Sequence, residues 1–279
     1  MSFPMEVLTY GLRRRLHELA TCNELLTLQV AAPDYHGLQP MQQFRSVDTV
    51  TITVTDNKVV VKATNGATEV NATDGYINLR DDLQIHDFTL EESVDLGNFR
   101  LAPNYINLHG CLISEELVSS FVAQNLQTVK QLTIGGTCGI QSDKVVKMLC
   151  SAPLLTPLEK LVITDGSDAS LNCWLEAVIE TSHPSMRTMH WEDATLCTLQ
   201  INKYRFERLI RLQQDNFKLE IYFKNSARIV KVEKQLTEFF DHAFDWAWKD
   251  YSQKSVKVSY GPRGREFTKY YYLRDEFTY

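Results

Sequence analysis

Several patterns that signal enzymatic chemistry are missing from this sequence. It has no GxxxxGK[ST], GxGxxG, HExxH or GxSxG phrase, so the common signatures of nucleotide binding, zinc peptidases and serine hydrolases are absent. The six cysteines form no CxxC pair, which argues against a structural zinc site. We therefore expect a protein that is not an enzyme, with no catalytic residue, no metal and no cofactor.

Excess positive charge and long apolar runs are missing as well. The 29 basic residues are outnumbered by 35 acidic ones, and the net charge of -6 argues against a general nucleic-acid surface. No uninterrupted apolar stretch could cross a bilayer, and the first residues lack the apolar core of a signal peptide. We expect an intracellular protein, cytoplasmic or nuclear, that binds neither nucleic acid nor membrane.

The sequence does contain a repeated phrase. Its anchors are Ile106, Leu132, Leu161, Met189 and Leu219, which are separated by 26, 29, 28 and 30 residues. Each anchor is followed two residues later by a second apolar residue, namely Leu108, Ile134, Ile163, Trp191 and Ile221. This alternation is typical of strands, and a fixed period of this length predicts an α/β solenoid with parallel strands, in which each unit stacks on the next.

The segments between the anchors have apolar residues at helical spacing. The predicted helices are 114–126, 142–152, 169–182 and 204–214. Ser114 and Ser142 are the expected N-caps of the first two helices. Cys111 and Cys138 occupy the same place in successive units, where a small side chain turns into the core, so we expect buried, reduced thiols.

Other elements flank the repeat on both sides. A β-hairpin is predicted over 50–61, and LQIHDFTL at 83–90 fits a degenerate first unit. After the last anchor, we expect an amphipathic helix over 232–251 and a hairpin over 256–273, which together cap the solenoid. The predicted divisions are a helical segment 1–40, a hairpin connector 41–82, the solenoid 83–225 and the C-terminal cap 226–279.

Two resemblances follow from these residues. The units Ile106-Leu108-Cys111-Ile113 and Leu132-Ile134-Cys138-Ile140 resemble leucine-rich repeats of the longer variety, with a full helix per unit. The N-terminal phrase FPMEVLTYGLRRRLHELATCNELLTLQV resembles an F-box, with its opening Phe-Pro-Met-Glu and two leucine-rich helices. Together they resemble the divergent F-box proteins of nematodes.

The F-box resemblance implies a partner and a set of binding residues. Members of that family dock onto a Skp1-like adaptor and recruit substrates to a cullin ubiquitin ligase. The residues that match the docking pattern are Phe3, Pro4, Met5, Val7, Leu8, Leu12, Leu16, Leu25 and Leu28. The alternative is a solenoid scaffold without any ligase link, whose N-terminal helices only cap the core and pack against Val50 and Ile52.

The repeat also predicts where an unidentified protein target would bind. Residues between and just after the two buried positions project onto the opposite sheet face. They are Asn107, His109, Thr133, Gly135, Val162, Thr164, His190, Glu192, Glu220 and Tyr222. This face is a binding surface, is merely solvated, or is covered by a terminal segment. We expect target contacts at His190, Glu192, Glu220 and Tyr222, and at Tyr271 of the terminal hairpin, in a protein that is monomeric outside its complex.

Overall fold

The structure is a computed structural model that describes most of the chain. The described residues are 7–20, 22–32, 44–55, 58–70, 76–89, 99–123, 129–135, 138–164, 171–181, 185–195, 200–223, 229–240, 243–248, 254–262 and 266–274. The helices are α1 Tyr10–Leu19, α2 Cys22–Ala31, α3 Glu115–Ala123, α4 Asp143–Ser151, α5 Leu171–Thr181, α6 Lys203–Leu212 and α7 Ile229–Phe240.

Strands account for most of the remaining described residues. They are β1 Phe44–Thr55, β2 Lys58–Asn65, β3 Thr68–Val70, β4 Tyr76–His86, β5 Phe99–Leu101, β6 Tyr105–His109, β7 Leu112–Ile113, β8 Gln131–Gly135, β9 Gly139–Ile140, β10 Lys160–Thr164, β11 Thr188–Ala194, β12 Lys218–Phe223, β13 Phe244–Ala247, β14 Ser255–Tyr260 and β15 Phe267–Leu273. The protein therefore belongs to the mixed α/β class.

Thirteen of the described strands form one open sheet, in the order β13-β15-β14-β12-β11-β10-β8-β6-β4-β1-β2-β3, with β5 attached to β4. The run from β1 through β4, β6, β8, β10, β11 and β12 to β14 is parallel throughout. Helical crossovers α3 to α6 connect the central strands, as parallel neighbours require. The two ends of the sheet are antiparallel hairpins, β1-β2-β3 and β14-β15-β13.

The predicted anchors pair with one another in register. Ile106, Leu132, Leu161, Met189 and Leu219 face each other on successive strands, which confirms the parallel pairing that the sequence predicts. The row extends further in both directions, to Leu83 of β4 and to Val256 of β14. All seven side chains are at most 1 % exposed, so this row is the spine of the hydrophobic core.

The helices cover the anchor face of the sheet. Val145, Val146, Leu149 and Cys150 of α4 are buried, and Trp174 of α5 is fully enclosed. The Ser114 hydroxyl accepts a hydrogen bond from the Leu117 N–H at 3.3 Å, which confirms the predicted cap of α3. Ser142 makes no such side-chain bond, whereas Asn202 accepts from the N–H groups of Tyr204 and Arg205 at the start of α6.

The described cysteines agree with the expectation of buried thiols. Cys111, Cys138 and Cys150 are free thiols, and all three are buried, as is Cys173. The Cys111 thiol sulfur lies 3.2 Å from the carbonyl oxygen of His109. The backbone N–H of Cys111 donates to the Cys138 sulfur, with 3.4 Å between nitrogen and sulfur. Burial raises the pKa of the Cys150 thiol to about 12, which keeps it protonated and unreactive at neutral pH.

The predicted helix over 232–251 is wrong at its C-terminal end. Helix α7 stops at Phe240, and Phe244–Ala247 form strand β13, which pairs antiparallel with β15. Aromatic residues favour strands as strongly as they fit an apolar helical stripe, so their spacing alone could not separate the two. The predicted hairpin over 256–273 is confirmed as β14 and β15, and β14 also continues the parallel sheet.

The hairpin predicted over 50–61 is confirmed as β1 and β2. Strand β1 also pairs in parallel with β4, and β4 in turn pairs with β6. The segment 83–90 is therefore a sheet strand only as far as His86, with Leu83 and Ile85 opposite Ile106 and Leu108. A single continuous sheet thus links the connector to the repeat units.

The N-terminal helices form a small apolar cluster of their own. Leu25 and Ala32 are buried there, and Leu8, Leu16, Ala20 and Leu28 are half-buried around them. This cluster is separate from the main core, which contains Val50 and Ile52, although α2 lies against β5. None of the helices among the described residues is both long enough and apolar enough to cross a membrane.

Candidate functional site

The predicted row of outward-facing residues lies on adjacent strands of the sheet. Asn107, Thr133, Val162, His190 and Glu220 are partners in successive strand pairs, and Lys257 of β14 extends the row. We call this face, opposite the helices, the open face. Val162 is only 7 % exposed and Gly135 has no side chain, so the middle of the row offers little to a partner.

The polar groups converge at the C-terminal half of the open face. His190 Nδ1 lies 3.3 Å from Glu220 Oε2, and its Nε2 lies 3.4 Å from Glu192 Oε1. The Tyr222 ring stacks on the imidazole, with centroids 4.6 Å apart and planes 16° from parallel. All four residues predicted to contact the target at this end therefore form one cluster.

Lys257 belongs to the same cluster and was not predicted from the sequence. Its ammonium donates to Glu220 Oε1 at 3.4 Å and to the Tyr222 hydroxyl at 2.5 Å. The alternation Val256-x-Val258 repeats the strand pattern of the central units, and this signal could have extended the row to β14. Glu220 thus has a cationic partner within the sheet, whereas Glu192 accepts from the Thr164 hydroxyl at 3.2 Å.

A β-bulge gives the cluster its outer wall. The pairing of β11 with β12 shifts between Trp191 and Ala194, so two consecutive side chains, Glu192 and Asp193, are exposed where strict alternation would bury one. Asp193 has a φ of 54°, a left-handed conformation that aspartate tolerates better than most residues. The bulge therefore directs two carboxylates to the same side of the strand end.

The cluster borders a cavity of about 340 Å³. Its lining includes His190, Glu192, Asp193, Tyr222, Ser259 and Glu266. Ligand pockets in proteins commonly measure about 300–1,000 Å³, so this cavity suits one protruding side chain of a partner better than a larger ligand. The lining of the cavity is mainly acidic and aromatic.

Tyr271 does not belong to this site, which corrects the prediction. The residue is 4 % exposed, and its ring stacks on Phe240 at 3.8 Å between centroids. As expected from strand alternation, the Tyr271 side chain points to the face opposite that of its neighbours Tyr270 and Tyr272. That face is covered by α7, so Tyr271 is buried and cannot reach a target. Burial raises the pKa of the Tyr271 hydroxyl well above its usual value.

The N-terminal helices expose part of the predicted adaptor-binding set. Val7 and Leu12 are 81 % and 55 % exposed, and Leu19, which is one heptad beyond Leu12, is 79 % exposed. Leu25 is buried between the helices, while Leu8, Leu16 and Leu28 are half-buried there. Phe3, Pro4 and Met5 lie outside the described residues.

Burial lowers the pKa of His190 below its ordinary value, and this gives a pH-dependent stability. The charged or titratable groups that face the His190 ring are Glu192, Glu220, Lys160, Lys257 and Tyr222. The two glutamates raise the pKa of His190 and so oppose the effect of burial, whereas the two lysines lower it further. Between the folded pKa and the unfolded value of 6.5, the unfolded chain binds more protons. Stability therefore falls as the pH drops through that window.

We expect His190→Gln to remove part of this pH dependence. Urea unfolding at pH 7.5 and at pH 5.5 should give a smaller difference in unfolding free energy for the variant than for the natural chain. His86→Gln serves as the matched control, since His86 stacks on His109 in another part of the open face. An unchanged difference in the His190 variant would show that its protonation is not linked to folding.

Comparisons test whether these features belong to a known group. Neither protein-family models nor curated proteins nor solved structures match this chain. Within the described part of the chain, no group of at least three His, Cys, Asp or Glu side chains is placed to hold a metal ion. The function must therefore be inferred from the geometry and from the sequence pattern.

Proposed function

We propose that this protein is a non-catalytic adaptor that recruits substrates to a Skp1-cullin-F-box ubiquitin ligase. In this proposal the segment 1–40 docks a Skp1-like adaptor, and a leucine-rich-repeat-like solenoid binds the protein to be modified. The observation that carries the proposal is the apolar surface of Val7, Leu12 and Leu19, which is exposed although the leucines beside it pack between α1 and α2. Exposed apolar clusters of this kind are typical of protein–protein contacts.

The repeat supports the second half of the proposal. The in-register anchor row, the parallel strands and the helices between them are what a leucine-rich-repeat-like solenoid requires. The target would contact His190, Glu192, Glu220 and Tyr222, where the open face has its charged and aromatic side chains and an adjoining cavity. The protein would act inside the cell, where the ligase operates.

The second candidate is a protein-binding solenoid scaffold without a ligase link. The contact of α2 with β5 favours this candidate, because N-terminal helices that only cap the sheet would pack against one of its strands in this way. The two candidates differ in one property, because only the first requires the exposed side of α1 to bind a partner.

Capture by a purified Skp1-like adaptor separates the candidates. We expect Leu12→Asp to keep the natural melting temperature, because the residue is 55 % exposed, and to weaken capture at least about tenfold, because a charge enters an apolar contact. Leu16→Asp, in the half-buried cluster, should lower the melting temperature as well. Surface plasmon resonance and circular dichroism measure the two effects.

The matched control is Val122→Asp. Val122 is 45 % exposed on α3, so this variant adds the same charge at a comparable apolar site on another helix. Its capture should equal that of the natural chain. Absence of capture by the natural chain, or capture that Leu12→Asp leaves unchanged, would contradict adaptor docking and favour the scaffold.

A further inference from the structure

Strand β13 is an open edge of the large sheet. It pairs with β15 on one side, and no other described strand pairs with its second side. The backbone of Phe244–Ala247 therefore presents a ladder of N–H and C=O groups to which another extended segment could bind. Edge strands of this kind serve as templates for strand addition in many peptide complexes.

The aromatic residues at this edge are unusually exposed. Trp246 and Trp248 are 51 % and 60 % exposed and make an edge-to-face contact with ring centroids 5.1 Å apart. Phe267, on neighbouring β15, is 43 % exposed. Tryptophan is enriched among the residues that contribute most to binding, so this group is a surface suited to a partner.

The early end of α7 explains why these rings are not covered. Phe240 is the last residue of the helix, and it packs on Phe244 and Tyr271, with ring centroids 5.1 Å and 3.8 Å away. Trp246 is opposite Tyr271 in the pairing of β13 with β15 and is two residues beyond Phe244. Helix α7 thus packs on the first residue of β13, whereas Trp246 and, just beyond the strand, Trp248 are exposed.

One positive charge lies on the same face. The Lys269 ammonium is 5.2 Å from the Trp246 ring centroid and 5.9 Å from that of Trp248, which are cation–π distances. Within the described part of the chain, Lys269 forms no ion pair, whereas Asp245 is paired with Arg274 at 3.1 Å. Among the described residues, an incoming carboxylate would therefore not displace an acidic partner from this ammonium.

We propose that the β13 edge binds an extended segment of a partner protein as an additional strand. The segment carries apolar side chains that pack on Trp246 and Trp248 and an acidic side chain that pairs with Lys269. A second copy of this chain fits less well, because the one carboxylate in its own β13, that of Asp245, is already paired with Arg274. This site is distinct from the target contact on the open face, and it does not depend on whether α1 docks an adaptor.

A synthetic peptide tests the proposal on the full chain. The probe is acetyl-Val-Thr-Glu-Thr-Val-Thr-amide, in which the Val and Glu side chains share one strand face. Its controls are the same peptide with Gln for Glu and a version N-methylated at every peptide amide. We expect saturable NMR shifts in Phe244–Ala247 and in the indole N–H signals of Trp246 and Trp248. The N-methylated peptide should not bind, because it cannot form the ladder, and the Gln peptide should bind several-fold more weakly.

Variants of the protein assign the contacts. Trp246→Ser should weaken the peptide at least about tenfold, because it removes an aromatic hot spot from the surface. Lys269→Gln should abolish the preference for Glu over Gln in the peptide, as a double-mutant cycle requires. The matched control is Val60→Ser, which removes an exposed apolar side chain from β2 near the other end of the sheet and should leave binding unchanged.

Three outcomes would overturn the proposal. One is a lack of saturation up to about 1 mM peptide, the weakest range of specific binding. Another is equal binding of the N-methylated peptide, which would exclude strand addition. The third is a concentration-dependent dimer that Trp246→Ser dissolves, which would assign the edge to a second copy. Adaptor capture by α1 is measured separately, so neither result depends on the other.

Discussion

Phe206→Ala is expected to destabilise the protein by about 3–5 kcal/mol, which is the usual cost of removing a fully buried phenylalanine. Phe206, in α6, has no exposed surface, and its ring contacts Phe239, Phe240 and Phe244 at centroid distances of 5.0, 5.8 and 5.9 Å. The substitution therefore removes both apolar burial and three aromatic contacts, two of which are edge-to-face. It also loosens the junction between the last repeat helix and the terminal strands.

The measurement is urea unfolding followed by circular dichroism. Tyr204→Ala is the matched control, since Tyr204 is an aromatic residue of the same helix that is 85 % exposed. This control should change the unfolding free energy by less than about 0.5 kcal/mol. Similar losses in both variants would contradict the position of Phe206 at the centre of the aromatic cluster.

Gly110→Ala is expected to destabilise the protein by about 2–3 kcal/mol, more than a change of conformational entropy would give. Gly110 has a φ of 62°, and a Cβ at this position would lie 2.3 Å from Asp87 Oδ1. The variant thus combines left-handed strain with displacement of a neighbouring side chain. Asp87 also has a positive φ, of 56°, and its N–H donates to the carbonyl of His109.

Gly66→Ala separates these two contributions. Gly66 has a similar φ of 57°, but nothing lies within 4 Å of a Cβ added there. We expect this control to cost about 1–2 kcal/mol, the strain alone. Equal losses for the two variants, in the same unfolding assay, would show that Asp87 moves aside at no cost.

The candidate site was predictable in part. The apolar-x-apolar anchors set which residues share a sheet face, and this was enough to bring His190, Glu192, Glu220 and Tyr222 onto adjacent strands. Lys257 was missed because its strand lies beyond the last predicted unit. The bulge that exposes Asp193 beside Glu192 was not predictable either, because it arises from the pairing of β11 with β12.

In the C-terminal region, the sequence pattern also could not decide between helix and strand. The aromatic residues of 239–248 fit one face of a helix, yet α7 ends at Phe240 and Phe244–Ala247 pair with β15. Tyr271 was expected to reach a partner, but the ring of Phe240 covers it. In both cases the pattern of apolar residues was correct, and the neighbour that buries them was unknown.

The amino-acid sequence by itself determined the local periodicities of this protein. The two-residue alternation at each anchor and the helical spacing between anchors follow from backbone geometry, so the parallel register from Ile106 to Leu219 could be predicted without a structure. The tertiary structure alone decided which elements lie side by side. Burial depends on neighbours distant in sequence, and only the folded chain shows that Leu12 and Trp246 are exposed while Leu25 and Tyr271 are buried.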